Sequence, residues 1–281
     1  MRGIGLMIVA IGLLCTMDAV AKVLMHRGMP VIQILAMRSL VIMPLILLVF
    51  ATQGKLATLR PTRPLLHACR SLVGFIAPLT FFLGIRHLPL TDAVTVSFSS
   101  IFMITLLSIV FLGEKVGLPR WSSIIAGFIG VIIVIGPEGG GELGGYLLIL
   151  IGSAAYAVLF VSGRYLSSTE SVASLVFSFN LGVGVVSLLL LPWYWQPQTL
   201  DQYGLLLCLA LLAVCGHFLL TLAFSISEAS LIAPFEYTAV LWALGFDLLI
   251  WQIAPSATTS IGAIIIISSG LYIVYRERLH Q

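Results

Sequence analysis

Five ionisable side chains lie well inside long apolar stretches of this sequence: Asp18, Lys22, Arg38, His217 and Glu236. An ionisable group at the depth of a bilayer costs several kcal/mol, so each of them should face a partner, a cavity or a solute. A carboxylate can bind an ammonium group or carry a proton, a guanidinium can hold a carboxylate, and a histidine titrates near neutral pH. These residue types indicate recognition of a small charged solute within a membrane, and they provide groups for proton coupling.

Asp18 and Lys22 stand four residues apart, which places both side chains on one face of a helix. We therefore expect them to neutralise each other as an ion pair, with Lys22 also near enough to the helix end to snorkel. Arg38 is expected to pair with Asp18 or to accept a substrate carboxylate. These three residues are thus structural or coupling candidates. Asp247 is expected to be hydrated at the outer end of its stretch, and Arg70 to snorkel.

Glu236 follows Pro234 closely, at a point where a proline disturbs the helix and leaves backbone groups free. Its carboxylate is a candidate for binding a substrate ammonium group or a coupling proton, with a gate or interfacial role as the alternative. His217 follows Gly216 in the middle of its stretch and is a second candidate for proton coupling. A hydrogen-bonded packing role is the alternative for this histidine.

Hydroxyl and aromatic side chains supply the candidate walls of a binding cavity. Ser97 and Ser100 share one face of a hydroxyl-rich segment, with close helix packing as the alternative. Aromatic side chains offer apolar walls, with core or lipid-facing packing as the alternative. The aromatic candidates in the third and sixth stretches are Phe75, Phe81, Phe82 and Tyr156. The substrate-binding candidates are, together, Phe75, Phe82, Ser97, Ser100, Tyr156, His217, Glu236 and Tyr237.

The elements that must position these groups are membrane-spanning helices. With 60% hydrophobic residues, 9% charged residues and a mean hydropathy of +1.14, the 281-residue chain does not belong to the soluble globular class. About ten apolar stretches have the length that a helix needs to cross a bilayer core. They cover about 3–25, 31–52, 64–86, 91–112, 120–137, 143–166, 171–195, 203–225, 229–252 and 257–275. The predicted fold class is an all-α integral membrane protein.

The chain reads as two copies of one five-span unit that are offset by about 140 residues. Gly12 in the first stretch, for example, corresponds to Gly152 in the sixth. An odd number of spans per copy inverts the second copy in the membrane, an arrangement that is typical of transporters. The predicted units are residues 1–137 and 146–281, joined by a glycine-rich linker at 138–145.

Basic residues in the short loops are concentrated on one side of the predicted membrane. That side carries Arg2, Lys55, Arg60, Arg63, Lys115, Arg120, Arg164, Arg276 and Arg278, whereas the other carries only Lys22, Arg27 and Arg86. The positive-inside rule therefore predicts that both termini lie in the cytoplasm. We expect a multi-pass protein of the inner (plasma) membrane.

Three motifs of the first half carry a family resemblance, at residues 84–93, 111–115 and 127–131. They show a small apolar run, then Leu-Gly-Glu with a basic residue, then a glycine-spaced helix. This pattern resembles the EamA family of the drug/metabolite transporter superfamily. The second half echoes it at 229–234 and 262–270, so that the resemblance covers nearly the whole chain.

This resemblance implies ten transmembrane helices in two inverted five-helix repeats around a central cavity, with the fifth and tenth spans peripheral. Within the family, the chain is similar to the YddG-type exporters of aromatic and neutral amino acids. Some of those exporters carry Trp-Pro in the fourth span, where this chain has about Ser100-Ile101. An aromatic side chain at about Tyr156 is retained, and Glu114 of the Leu-Gly-Glu motif is expected to be structural.

The predicted function is a secondary carrier, not an enzyme, that exports small metabolites by alternating access, with aromatic or neutral amino acids as the leading substrates. Transport of another metabolite, such as a vitamin, a nucleoside or a drug, is the alternative within this class. An intramembrane enzyme is the alternative from another class, but no spacing of serine, histidine or paired carboxylates supports it. The expected partners are the substrate, the lipid bilayer and protons. No cofactor, metal or nucleic acid is expected, and the four cysteines lack CxxC spacing.

Overall fold

The computed structural model describes residues 2–113, 117–136, 142–227 and 232–278, and these ranges form helices joined by short loops. The helices are α1 (Arg2–His26), α2 (Val31–Thr52), α3 (Pro64–Ile85), α4 (Leu90–Ser97), α5 (Ser99–Leu112), α6 (Leu118–Ile135), α7 (Leu143–Leu166), α8 (Val172–Tyr194), α9 (Leu200–Ile226), α10 (Thr238–Phe246) and α11 (Ala257–Arg278). Shorter elements are 3₁₀ turns at Leu56–Leu59 and Ala233–Tyr237 and a π-helical turn at Asp247–Trp251. Glu114 and the motif residues 229–231 lie outside the described residues.

Eight segments of the described chain are long and apolar enough to cross a membrane. Seven are the single helices α1, α2, α3, α7, α8, α9 and α11, and the eighth is α4 followed directly by α5. The helix α6 is also apolar but shorter, and the predicted ninth stretch is divided between a 3₁₀ turn, α10 and a π-helical turn. The predicted all-α membrane fold class is therefore confirmed, while the count of ten spans stays a prediction.

Most helix packing in the bundle joins a helix of the first half to a helix of the second. The main pairs are α1 with α9, α3 with α7, α2 with α8, and α6 with α11. An offset of about 140 residues maps α1 onto α7 and α3 onto α9, so exchanging the halves returns the same four pairs. Two equivalent halves related by a two-fold axis produce such a pattern. The division into units 1–137 and 146–281 stays a prediction, because residues 137–141 lie outside the described ranges.

Two of the spans are interrupted at equivalent positions. The first interruption separates α4 from α5 at Phe98, whose backbone N–H bonds to the Thr95 carbonyl at 3.3 Å. The second lies in the other half, where a 3₁₀ turn containing Pro234 gives way to α10 at Thr238, about 140 residues after Phe98. The rings of Phe98 and Tyr237 pack against each other with centroids 4.7 Å apart. The two interruptions therefore meet within the bundle.

Candidate functional site

A cavity of about 340 Å³ lies between the first four spans of the first half and α7, α8 and α9 of the second. Its polar and ionisable lining consists of Asp18, Arg38, Ser97, Ser100, Ser153, Tyr156 and His217. Its apolar lining consists of Met17, Ala77, Pro78, Phe81, Phe82, Gly152, Leu159 and Phe179. Because both halves contribute side chains, the cavity occupies the interface at which repeat-built transporters hold their substrates.

Local sequence explains how two of the walls form. On α7, Gly152, Tyr156 and Leu159 follow one another at intervals of four and three residues, so they lie on one helical face. Ser97 and Ser100 lie on either side of the interruption at Phe98, which turns both toward the same space. The hydroxyl of Ser97 bonds back to the Val94 carbonyl at 2.7 Å, a local hydrogen bond of the kind that serines in helices commonly form.

Five of the eight predicted substrate-binding residues line the cavity: Phe82, Ser97, Ser100, Tyr156 and His217. The other three do not. Phe75 is buried in the hydrophobic core, and Tyr237 is buried against Phe98. Glu236 is half-buried outside the lining, although it is close enough to Tyr156 to interact with it electrostatically. Roles in substrate binding stay predictions for all eight.

Asp18 and Arg38 bring opposite charges to the cavity without closing on each other. The Arg38 side chain is 7% exposed, its Nη1 donates to the Met17 sulfur at 3.9 Å, and its Nε has no hydrogen-bond partner. The two charges interact electrostatically, but no ion pair within 4.0 Å links them in the described chain. The half-buried Asp18 receives no hydrogen bond from any described residue. The two opposite charges therefore line one cavity without neutralising each other in a direct ion pair.

Lys22 does not pair with Asp18 as the spacing predicts, because a different carboxylate reaches it. Its Nζ donates to the Leu88 carbonyl at 2.6 Å and lies 3.8 Å from Oδ1 of Asp247. The same ammonium group stands 4.5 Å from the ring centroid of Trp251, within cation–π range. The Lys22 side chain is only 3% exposed, so it is a buried bridge between α1 and two other segments and does not snorkel.

Asp247 was expected to be hydrated, because it lies near the end of the ninth stretch. That prediction is wrong: the side chain is 1% exposed. Its carboxylate accepts the backbone N–H groups of Leu90 at 2.9 Å and Thr91 at 2.7 Å, and the Thr91 hydroxyl at 2.8 Å. These groups form the N-terminus of α4, where unpaired amides and the helix dipole favour a negative charge. The side chain therefore caps a helix in the other half of the chain.

Asp92, in the first turn of α4, extends this network to two further helices. Its carboxylate accepts the hydroxyl of Tyr146 on α7 and, at 2.8 Å, the hydroxyl of Thr259 on α11. We call Lys22, Asp92 and Asp247 with their partners the outer cluster, because they lie at the predicted outer end of the bundle. On α1, Lys22 of this cluster lies one turn beyond Asp18, so the cluster stands next to the cavity on that side.

The opposite end of the bundle carries its own capping carboxylate, Glu170, in the loop between α7 and α8. It accepts the Thr62 hydroxyl, the backbone N–H groups of Thr62 and Arg63 at 3.0 and 2.9 Å, and lies 3.5 Å from Nε2 of His67. These hydrogen bonds, the Thr62 hydroxyl first, lower the pKa of Glu170 from 4.5 to about 2. Arg70 was predicted to snorkel, but its guanidinium instead donates hydrogen bonds to the backbone carbonyls of Leu159 and Leu175.

Sequence reasoning missed Ser153 and Phe179, which both line the cavity. Ser153 stands three residues before Tyr156 on α7, so the face that carries Tyr156 could have identified it. Phe179 has no such signal, because it is one aromatic residue among many apolar ones in α8. Its position depends on how α8 packs against α2 and α3.

Comparison with known proteins places the chain among membrane transporters. The model of the EamA-like transporter family matches residues 1–136 and 143–275. A solved crystal structure matches along 100% of this chain and 99% of its own, with a TM-score of 0.66 and 17% identity. At that identity the similarity supports the fold alone.

Three kinds of transporter are among the relatives. The S-adenosylmethionine uptake transporter of Rickettsia bellii is 30% identical over 83% of this chain and 80% of its own. The pseudopaline exporter CntI of Pseudomonas aeruginosa is 28% identical over 85% of this chain and 84% of its own. The riboflavin transporter of Rhizobium johnstonii is 27% identical over 79% of this chain and 74% of its own. All three names are those of transporters of small metabolites, not of enzymes.

Proposed function

Because the chain belongs to the EamA-like transporter family, we propose that it is a secondary carrier of small zwitterionic metabolites. Export of aromatic or neutral amino acids is the specific form of this proposal. We infer that the protein lies in the plasma membrane with both termini in the cytoplasm, in line with its loop charges. The predicted EamA membership is confirmed, whereas substrate, direction and orientation are proposals.

The observation that carries this proposal is the pair of charges in the cavity. Asp18 and Arg38 face one space without an ion pair or a hydrogen bond between them. A carboxylate complements an ammonium group, and the planar guanidinium of arginine complements a carboxylate. Aromatic side chains such as Phe82 and Tyr156 line the rest of the space and suit an apolar body. An amino acid combines these three features.

S-adenosylmethionine is the second candidate substrate, because a 30% identical relative is named for its uptake. It carries the same ammonium and carboxylate groups on a larger body with a sulfonium cation and an adenine ring. The charge pair would therefore serve either substrate. Riboflavin lacks an amino-acid group, so the charge pair offers it no matching contact.

Alternating access in this carrier requires the outer cluster to open. Lys22 and Asp247 join α1, the N-terminus of α4 and the segment after α10, all at one end of the cavity. The buried ion pair and its hydrogen bonds exclude water there, so a substrate cannot leave in that direction until they separate. Glu236 and His217 are the groups that we propose for proton coupling, with facilitated diffusion as the alternative.

Counterflow in proteoliposomes tests the substrate class. Vesicles loaded with unlabelled phenylalanine should accumulate labelled phenylalanine, and leucine, tryptophan and S-adenosylmethionine should be tried as competitors. Phenethylamine lacks the carboxylate and 3-phenylpropionate lacks the ammonium group. Both should compete poorly if the cavity binds both charged groups of the substrate. A pH gradient across the vesicle membrane should change the flux only if transport is coupled to protons.

Variants connect the flux to the cavity. Asp18→Asn and Arg38→Gln should weaken competition by intact amino acids, and the matched control is Arg27→Gln. Arg27 pairs with Asp201 at 2.9 Å, but both side chains are exposed, at 48% and 65%. If both truncated analogues compete as strongly as intact phenylalanine, or if transport is unchanged in both cavity variants, the zwitterion proposal is removed. Flux of riboflavin without flux of any amino acid would favour a vitamin carrier.

A further inference from the structure

Gly74 leaves room for two side chains of the cavity wall, Phe179 and Leu159, to pack back against α3. Gly74 is buried on α3 where that helix meets α7 and α8. A Cβ atom at this position would lie 2.8 Å from Cδ2 of Phe179 on α8 and 3.0 Å from Cδ1 of Leu159 on α7. Both of these side chains line the cavity. They occupy the space that any other residue at position 74 would take.

The helix backbones around this contact are held close together, so they cannot easily yield to an added methyl group. One residue before Phe179, the Ser178 carbonyl accepts the Ser71 hydroxyl at 2.8 Å, in a buried hydrogen bond between α3 and α8. Three residues after it, a Cβ on Gly182 would lie 2.2 Å from Cβ of Ser71, which shows how closely the two helices approach. The side chains of Phe179 and Leu159, rather than the backbone, must therefore move, and the open space beside them is the cavity.

We propose that Gly74 and Phe179 together form a size filter that sets the largest substrate body the carrier accepts. The proposal rests on the function proposed above, because it concerns the same cavity, and it adds a selectivity for size to the selectivity for charge. Gly74 itself touches no substrate; it is a positioning residue that acts through the ring of Phe179. The charges of Asp18 and Arg38 lie on other helices, so the filter changes which body fits and not which head group binds.

The first test compares substrates of increasing size in Gly74→Ala proteoliposomes. We expect the ratio of KM for tryptophan or S-adenosylmethionine to KM for alanine to rise about tenfold or more, since one methylene in an apolar pocket discriminates by about 10- to 200-fold. Phe179→Leu should restore the ratio in the double variant by vacating the ring's space. Gly184→Ala is the matched control: Gly184 is a helix-packing glycine on α8, and its neighbour Ser39 does not line the cavity.

A second test measures the size of the cavity without any substrate. In a background free of Cys15, Cys69, Cys208 and Cys215, Ser97→Cys offers a single thiol on the cavity wall. Gly74→Ala should slow its reaction with a bulky methanethiosulfonate reagent much more than with the methyl reagent, and the added Phe179→Leu substitution should reverse this. The measured quantity is the ratio of the two labelling rates.

The two tests separate the filter from the proposed function. An altered labelling ratio without transport of any amino acid would support the filter and remove the proposed substrate class. An unchanged labelling ratio in Gly74→Ala, or an unchanged size preference in an active Gly74→Ala carrier, would overturn the filter. A size preference that shifts equally in Gly184→Ala would also overturn it, because the change would then be a general effect on helix packing.

Discussion

Asp18, in the span formed by α1, and Asp247, in the π-helical turn after α10, are two carboxylates that differ in what surrounds them. Asp247 is 1% exposed, accepts three hydrogen bonds from Leu90 and Thr91, and lies 3.8 Å from the Lys22 ammonium group. Asp18 faces the cavity and receives no hydrogen bond from the described residues. A fully bonded buried carboxylate holds structure together, whereas one left without donors is available to a ligand.

The largest effect should follow from removing the bonded carboxylate. Asp247→Ala leaves Lys22 as a buried charge without its counter-ion and leaves the N-terminus of α4 uncapped. We expect a loss of about 3–5 kcal/mol in stability, the usual cost of breaking a buried ion pair from one side. Thermal unfolding in detergent, followed by size-exclusion chromatography, measures it. Asp201→Asn, at a carboxylate that is 65% exposed, is the control, and equal melting of the two variants would contradict the assignment.

Removing a cavity charge should affect transport and leave stability nearly unchanged. Arg38→Gln and Asp18→Asn each remove one charge-assisted contact to the substrate, worth about 1.5–3 kcal/mol, so KM should rise by at least about tenfold. The melting temperature, which should stay nearly unchanged, and KM, which should rise, are measured on the same preparations. A variant that melts early but keeps its KM would show that its charge serves the fold, as Asp247 does.

Removing Lys22 should cost less than removing Asp247, although the two form one ion pair. In Lys22→Met, Asp247 keeps its three hydrogen bonds at the N-terminus of α4, so its charge remains compensated. We expect a loss of about 1.5–3 kcal/mol, the usual contribution of a single hydrogen bond to a charged group. If Lys22→Met melts as early as Asp247→Ala, the ion pair and not the helix cap holds the outer cluster together.

Glu170 extends the comparison to a capping carboxylate outside the spans, and its effect should appear only in acid. Its pKa is about 2 in the folded chain against an ordinary value of 4.5, so its stabilisation is complete above pH 4.5. It should be lost progressively as the pH falls toward 2. The melting temperature of the wild type should therefore fall more steeply between pH 4.5 and pH 2 than that of Glu170→Gln. Parallel declines would assign the acid sensitivity to other groups.

Sequence reasoning predicted the class of structure because long apolar stretches have few alternatives. The same reasoning identified five residues that line one cavity. Ser97 and Ser100 were visible as a spacing on one helical face, whereas the other three were identified by type alone, His217 as an ionisable group in mid-span and Phe82 and Tyr156 as aromatic wall candidates. It failed for Lys22 because a spacing of four shows which groups are near each other along one helix, but not which distant carboxylate offers better bonding. It failed for Phe179 because the fit of that ring against Gly74 is a property of helix packing.

The meeting of Phe98 and Tyr237 has a consequence for how the two halves move. In an inverted-repeat carrier, each half adopts in one state the conformation that the other half adopts in the opposite state. Phe98 and Tyr237 occupy positions that the repeat makes equivalent to within one residue. When the two halves exchange conformations, the contact between these residues should therefore change little. Groups far from it, such as the outer cluster, must change partners. In the alternating-access cycle proposed above, the packed rings of Phe98 and Tyr237 would therefore lie near a fixed point, about which the two ends of the bundle tilt in turn.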